Sequence, residues 1–255
     1  MSIETVADLQ GMQQAGRVTR AVLNAMKDAV RPLITTLELD DVARQVLVRH
    51  RARSAPMLVY GFPGYTCISV NEEVVHGVPS QRQLLPGDLV KLDVTVECGG
   101  YMADACETVV VGGSPHQPLI DCAVRAFERG LAEVRVGARA YDIGTAVQRE
   151  VQRSGFSVVH DLTGHGIGRT IHEAPTIPNH RDLRCAAALT EGLIFTIEPL
   201  VSAGTARTRT KADGWTVQTC DRSMGAHYEH TVMMTEAGPV LWRCPEARPM
   251  AGLPC

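Results

Sequence analysis

The chain has 255 residues, 45% of them hydrophobic and 21% charged, and its formal net charge is −3. This composition is ordinary for a globular protein with a substantial core, and it gives no electrostatic case for binding nucleic acid or an anionic membrane. The sequence shows neither a signal peptide nor an apolar run long enough to span a bilayer. Its eight cysteines form no C-x-x-C pair, so we expect reduced thiols and a cytoplasmic location.

Two helices are predicted at the start of the chain. Apolar residues at three- and four-residue steps indicate a first helix from about Glu4 to Val30, which Arg31 and Pro32 end. A second helix is predicted over 35–50, with Thr36 as its N-cap.

Strand-like segments follow these helices, and the same order then recurs. The first strands are predicted over 57–62, 66–70 and 88–112, and Gly99-Gly100 in the last segment predicts the turn of a β-hairpin. After Pro118 come two predicted helices and then strands, over 119–134, 140–155, 156–162, 191–204, 214–219 and 227–235. The final stretch, 242–255, carries no motif and is expected to be a mobile terminus.

The repeated order indicates an internal duplication. Two short alignments agree on an offset of about 105 residues, and the second of them places Asp93 opposite Glu198. We interpret this as two α+β halves, about 5–113 and 118–240, packed about a pseudo-two-fold axis within a single domain, 1–255.

Four acidic residues occupy matching places in the two halves. Asp93 and Glu198 each interrupt an apolar run, and Asp104 and Glu229 lie on the strand that follows in each half. An isolated carboxylate buried in such a run is very costly, and four acids close together cannot all stay ionised without cations. The pattern therefore predicts a site for two divalent metal ions. A solvated position remains the alternative for any one of these acids taken alone.

The stretch "HDLTGHGIGRTIHEAP", residues 160–175, adds two histidines to this picture. His165 is expected at the end of a strand, where it would supply one nitrogen ligand, and His172 follows across a glycine-rich segment. Gly166 and Gly168 would let the backbone pass close to a metal or a substrate. The segment matches neither a phosphate-binding loop nor the H-E-x-x-H motif of zincins.

Taken together, these motifs resemble those of the type I methionine aminopeptidases. The resemblance rests on the two aspartates eleven residues apart, on "GHGIGRTIHEAP", on "FTIEP" and on "YEHT", and it covers roughly residues 5–240. It implies the duplicated α+β fold called the pita-bread fold, with one catalytic domain. It also implies metal-dependent removal of the N-terminal methionine from nascent proteins, through a hydroxide held by two metal ions. A small second residue in the substrate is part of this expectation.

The resemblance also implies a role for individual residues. The expected metal ligands are Asp93, Asp104, His165, Glu198 and Glu229. Asp104 and Glu229 would bridge the ions, Asp93 would bind one, and His165 with Glu198 would bind the other. Glu198 would also handle protons.

Two further histidines and a side-chain pocket follow from the same resemblance. His172 would contact the scissile carbonyl or its oxyanion, and His76 would contact the substrate near the scissile amide. The residues expected to line the methionine pocket are Phe62, Cys67, Ile171 and Trp215. For Phe62 and Cys67 a purely structural place in the core is the alternative.

The chain departs from the family pattern at four positions. Ile171 stands where an aromatic residue is common, Pro56 and Val59 replace residues that often line the pocket, and His227 stands where glutamine often precedes "YEH". These changes put the side-chain preference in question and leave the expected metal ligands intact.

The expected ions are Mn, Fe(II) or Co, because a carboxylate-rich site with one imidazole favours harder ions than a thiolate site does. The expected partners are nascent polypeptide N-termini and the ribosome, and we expect a monomer. Three alternatives stay open: a proline-specific peptidase of the same fold, a creatinase-like hydrolase without metal, and a binding protein that has lost the chemistry. The intact ligand set disfavours the last two.

Overall fold

The computed structural model describes residues 1–113 and 115–241. The stretch 242–255, predicted to be a mobile terminus, lies outside the described residues. Within the described ranges, no helix combines the length and the apolar character needed to cross a bilayer.

Among the residues that the structure describes, four of the five helices confirm predicted ones. The helices are α1 Val6–Ala29, α2 Thr36–Arg49, α3 Ala55–Tyr60, α4 Gln117–Ala132 and α5 Ala140–Arg153. The N-cap of α2 is Thr35 and not Thr36 as predicted. The Thr35 hydroxyl accepts a hydrogen bond from the Glu38 amide, and the Glu38 carboxylate accepts one from the Thr35 amide. This reciprocal capping box uses Glu38, which stands three residues after Thr35.

The predicted strand at 57–62 was wrong, because this segment forms helix α3. The Ser54 hydroxyl accepts from the Met57 amide, Pro56 occupies the first turn, and Gly61 ends the helix with a φ of 70°. A side-chain cap, a proline in the first turn and a left-handed glycine are helix start and stop signals. Here they outweigh the strand preference of the apolar residues between them.

The strands form one large antiparallel sheet and one small one. Their bounds are β1 Arg53–Ser54, β2 Cys67–Val70, β3 Glu73–Val75, β4 Leu89–Cys98, β5 Tyr101–Val110, β6 Ser157–Val158, β7 Gly164–Gly166, β8 Glu173–Ile177, β9 Ile194–Ile197, β10 Leu200–Ser202, β11 Thr208–Thr210, β12 Val217–Thr219, β13 Gly225–Thr235 and β14 Gly238–Leu241. The main path through the large sheet runs β1-β4-β5-β13-β9-β7-β8. The hairpin predicted over 88–112 is confirmed as β4 and β5, with Gly99 and Gly100 at positive φ.

Two predicted strands are broken. The segment expected to end at His165 divides into β6 and β7, so His165 lies in the middle of a three-residue strand. The segment 191–204 divides at Glu198-Pro199 into β9 and β10. Since proline has no N–H to donate, the ladder ends there, and Glu198 follows directly on β9.

The order of the central strands reflects the pseudo-two-fold arrangement. Strand β5 of the first half pairs with β13 of the second, and β4 and β9 flank this pair on either side. With its flanking helices, this antiparallel sheet confirms the predicted α+β class.

The helices cover one face of the sheet. Leu92 and Val94 of β4 pack in one core cluster with α1 and α2, and Phe195 and Val232 pack in another with α4 and α5. Because side chains alternate along a strand, the residues between them face the other way. Asp93 lies between Leu92 and Val94, so the buried core on one face fixes the acids on the other.

A close backbone approach holds the segment that carries His76. Gly77 accepts from the Ile68 amide and donates to the Ser69 hydroxyl, and an added Cβ at Gly77 would lie 2.3 Å from the Ile68 carbonyl oxygen. His76 itself has a φ of 56°.

We predict that Gly77→Ala destabilises the protein by about 1–3 kcal/mol, the usual cost of forcing extra volume into a packed region. Denaturant unfolding measures this change. Gly113→Ala is the matched control, since nothing lies within 4 Å of a Cβ built there. Equal stability of the two variants would contradict the prediction.

Candidate metal centre and active site

Four carboxylates from four neighbouring strand positions line one cavity. Asp93 lies on β4, Asp104 on β5 and Glu229 on β13, and Glu198 follows β9. The central pairing places Cys106 opposite Asp93 on one side and opposite Glu229 on the other, which brings the acids of the two halves together.

Burial and mutual repulsion disfavour the charged forms of these acids. Burial raises the pKa of Asp104 to about 6 and that of Glu198 to about 8. It also raises the pKa of Asp93 and of Glu229 well above the usual range, and the neighbouring carboxylates add to this effect. Four such groups share a site that a cation would stabilise.

The hydrogen bonds at Asp104 fix its position and leave one oxygen unpaired. The Thr95 hydroxyl donates to Asp104 Oδ2 at 2.9 Å, and the Thr231 hydroxyl bonds both the amide and the carbonyl of Asp104. Asp104 Oδ1 and Glu229 Oε1 are buried without a hydrogen-bond partner among the described residues. Buried carboxylate oxygens of this kind are suited to coordinate a metal ion.

Among the described residues, two groups of side chains have the spacing of metal ligands. One is Asp104, His165 and Glu229, and the other is Glu198, His227 and Glu229. In each group the ligand atoms lie within 4.8 Å of one another. Glu229 belongs to both groups, so the residues fit two adjacent ions that share one carboxylate.

His165 presents one ring nitrogen to this site. Its amide donates to the Thr196 hydroxyl, and its Nδ1 lies 3.0 Å from the carbonyl oxygen of Gly166. This bond orients the ring, as partners of ligating histidines do, and leaves Nε2 for coordination. Burial, aided by nearby His172, lowers the pKa of His165 to about 4, so the neutral, ligating form prevails at neutral pH.

His172 lies beside His165, with their ring centroids 4.2 Å apart. The Tyr60 hydroxyl lies 2.5 Å from Nδ1 of His172, and burial lowers the pKa of His172. Glu173 accepts from the amides of Arg169 and Thr170, which closes the turn that presents His172.

Tyr60 was missed in the sequence. It lines the cavity because it ends helix α3, and that helix was predicted as a strand. The helix signals at Ser54, Pro56 and Gly61 could have placed it.

The cavity continues into an apolar pocket. Phe62 and Trp215 meet edge to face with centroids 5.3 Å apart, and Cys67 and Ile171 line the same cavity. His76 also lines it, with a pKa lowered by burial and by nearby His172.

Every side chain that was predicted to bind metal or substrate therefore lines this one cavity. Three of the four departures from the family pattern line it, Pro56, Ile171 and His227, whereas Val59 is exposed. Burial lowers the pKa of His227 to about 3, with His76 and Lys91 adding to the effect.

Comparisons with known proteins agree with this geometry. The model of metallopeptidase family M24 matches residues 10–236. The chain is similar to methionine aminopeptidase 2 of Bacillus subtilis, with 40% identity over 245 residues that cover 94% of this chain and 98% of that one. The crystal structure of the methionine aminopeptidase of Rickettsia prowazekii matches with a TM-score of 0.90 and 39% identity, covering 95% of this chain and 99% of that one. The prolidase of Pyrococcus furiosus, with 20% identity and a TM-score of 0.76 over 96% of this chain and 66% of that one, shares the fold.

The raised pKa values predict how the stability of the metal-free protein depends on pH. The usual pKa values of Asp and Glu are 3.8 and 4.5, whereas in the folded protein Asp104 titrates near 6 and Glu198 near 8. Between these limits the folded state binds more protons than the unfolded state, so stability falls as the pH rises. Below about pH 6.5 the lowered pKa values of the buried histidines act in the opposite direction. We therefore expect the Tm of chelator-treated protein to fall from pH 7 to pH 8.5, and excess Mn(II) to remove most of this fall.

Asp104→Asn serves as the control for this experiment. It removes one buried charge, so the Tm of the metal-free variant should depend less on pH than that of the wild type. A metal-free wild type that is as stable at pH 8.5 as at pH 7 would contradict the prediction.

Proposed function

The chain belongs to metallopeptidase family M24, and we propose that it is a methionine aminopeptidase that removes the N-terminal methionine from new polypeptides. One observation carries the proposal. Three buried carboxylates, the partly buried Asp93 and a neutral imidazole converge beside a pocket that contains a thiol and two aromatic rings. The similarity to curated methionine aminopeptidases over most of the chain supports the same function.

We propose that Asp93, Asp104, His165, Glu198 and Glu229 would hold two divalent ions. Bound there, the ions supply Lewis acidity and lower the pKa of water, which makes it a nucleophile at neutral pH. The carboxylates would bind the ions, and the adjacent strands hold these carboxylates in place. The surrounding apolar residues limit the access of bulk water.

The remaining polar residues act on the substrate. Glu198 lies beside the attacking water, accepts a proton from it and delivers this proton to the departing amine. His172 is held by Tyr60 through Nδ1, and its Nε2 contacts the scissile carbonyl oxygen as negative charge develops there. His76 lies across the same cavity and contacts the substrate near the scissile amide.

The apolar pocket provides the specificity for methionine. Phe62 and Trp215 present ring surfaces, and Cys67 and Ile171 complete a soft lining. Thioether sulfur makes favourable contacts with aromatic edges, so an unbranched methionine side chain fits these surfaces. A small second residue in the substrate is part of the proposal.

The proposal extends to the metal and the cellular setting. The ligand set, rich in carboxylate oxygens, favours Mn, Fe(II) or Co. We propose that the protein acts as a monomer in the cytoplasm, on nascent chains at the ribosome.

The test is to compare substrates with metal-loaded protein. We expect release of free methionine from Met-Ala-Ser, no release from N-acetyl-Met-Ala-Ser, and little cleavage of Ala-Pro peptides. Chromatography of the free amino acids measures each reaction. Preferred cleavage of Ala-Pro would instead support the proline-specific alternative, which shares the fold.

Asp104→Ala links the activity to the carboxylate cluster. The variant should lose activity while circular dichroism shows that the fold is retained, because Asp104 is expected to bridge the ions. Full metal-dependent activity in this variant would contradict the assigned centre.

The contact between Tyr60 and His172 predicts graded kinetic effects. His172→Gln should lower kcat by about 10²–10³-fold, the usual loss when one donor to a developing oxyanion is removed. Tyr60→Phe removes one hydrogen bond to that histidine and should lower kcat by up to about tenfold with little change in KM. Tyr141→Phe, on helix α5, is the matched control. If Tyr60→Phe changed KM alone, its contact with His172 would not serve the reaction.

A further inference from the structure

His227 is a buried imidazole that faces the metal centre and has no role in the function proposed above. It lies on β13 two residues before Glu229, so the alternation along the strand points both side chains to the same face. His227 is 2% exposed and lines the cavity. Neither of its ring nitrogens has a hydrogen-bond partner among the described residues.

The backbone of His227 is held firmly in place. The Thr108 hydroxyl donates to the His227 carbonyl and accepts from the His227 amide, both at 2.8 Å. On the other side, His227 pairs with Leu200 of β10. The sheet therefore fixes the backbone from which the ring projects into the cavity, and a buried polar ring without partners is costly.

The geometry at His227 is that of a metal ligand. Its Nε2 lies 3.4 Å from Glu229 Oε2. Two ligand atoms about 2.1 Å from one ion at a tetrahedral angle are about 3.4 Å apart. A Glu198 oxygen completes a group in which the ligand atoms lie within 4.8 Å of one another.

A hydrogen bond to Glu229 does not account for this contact, because neither ring nitrogen of His227 has a hydrogen-bond partner among the described residues. The neutral imidazole is the form that coordinates metals.

We propose that His227 is a ligand of the metal centre and gives the Glu198–Glu229 side an imidazole of its own. His165 belongs to the other group of side chains, with Asp104 and Glu229, and not with Glu198 as the sequence predicted. The proposal therefore gives each group one imidazole. The inference rests on the proposed metal-dependent function. It deepens that function, because His227 departs from the glutamine expected at this position.

A second imidazole changes which ions the centre prefers. Imidazole suits Co(II), Ni(II) and Zn(II), whereas an environment of oxygen ligands suits Mn(II). His227→Gln, which restores the expected glutamine, should therefore shift the preference of the centre towards Mn(II).

The test counts imidazoles on the metal directly. Protein loaded with two Co(II) per chain is studied by X-ray absorption at the cobalt edge, where imidazole gives a recognisable scattering pattern. We expect an average of one imidazole per ion in the wild type and half an imidazole in His227→Gln. His165→Gln should show the same loss, and His50→Gln, which removes an exposed imidazole at the end of α2, should show none.

Calorimetric titration with Co(II) provides a second readout that does not depend on activity. His227→Gln should weaken one binding step by at least about tenfold, since even outer-shell changes at metal sites cost 10–100-fold in affinity. Thermal unfolding of the metal-free variants establishes that each one folds.

The outcomes separate this inference from the proposed function. A wild type with half an imidazole per ion, or a His227→Gln variant with unchanged count and affinity, would overturn the role of His227 and leave the enzyme assignment standing. A folded wild type that binds no Co(II) would overturn both.

Discussion

One constraint underlies the site: four carboxylates that repel one another are held together in a single cavity. Asp93, Asp104, Glu198 and Glu229 come from four adjacent strand positions, and each has a pKa raised above its usual range. A fold selected for stability alone would place apolar residues there, because uncompensated buried charges destabilise a protein. Bound divalent cations would offset this destabilisation, because the ligand oxygens are already assembled and the free energy of metal binding adds to that of folding.

The sheet supplies the rigidity that such a site needs. The pairing of β5 with β13 joins the two halves, and the helices pack on the opposite face through Leu92, Phe195 and Val232. Ligands on paired strands are held more closely than ligands on loops. His172, which we propose contacts the substrate, lies on a turn instead. Tyr60 and Glu173 compensate by fixing His172 and the residues before it.

Local signals explain what could be predicted from the sequence. The long helices, the hairpin at Gly99-Gly100 and the four acids in matching places depend on periodicity, turn chemistry and the offset between the halves. Helix α3 was missed because a few capping residues outweighed the apolar run. The broken strand at Pro199 and the short strand around His165 depend on which backbone groups pair across the sheet. The contact of Tyr60 with His172 joins residues far apart in the chain, and the orientation of His227 appears only once the neighbours of β13 are known.

The central claim is that bound metal ions are what make the carboxylate cluster an aminopeptidase site. The most direct test is to strip the protein of metal and measure the release of free methionine from Met-Ala-Ser as Mn(II), Fe(II) or Co(II) is added in steps. The account predicts no release from the folded metal-free protein and activity that saturates near two ions per chain. Release at full rate without metal, or no release with any of the three ions, would contradict it.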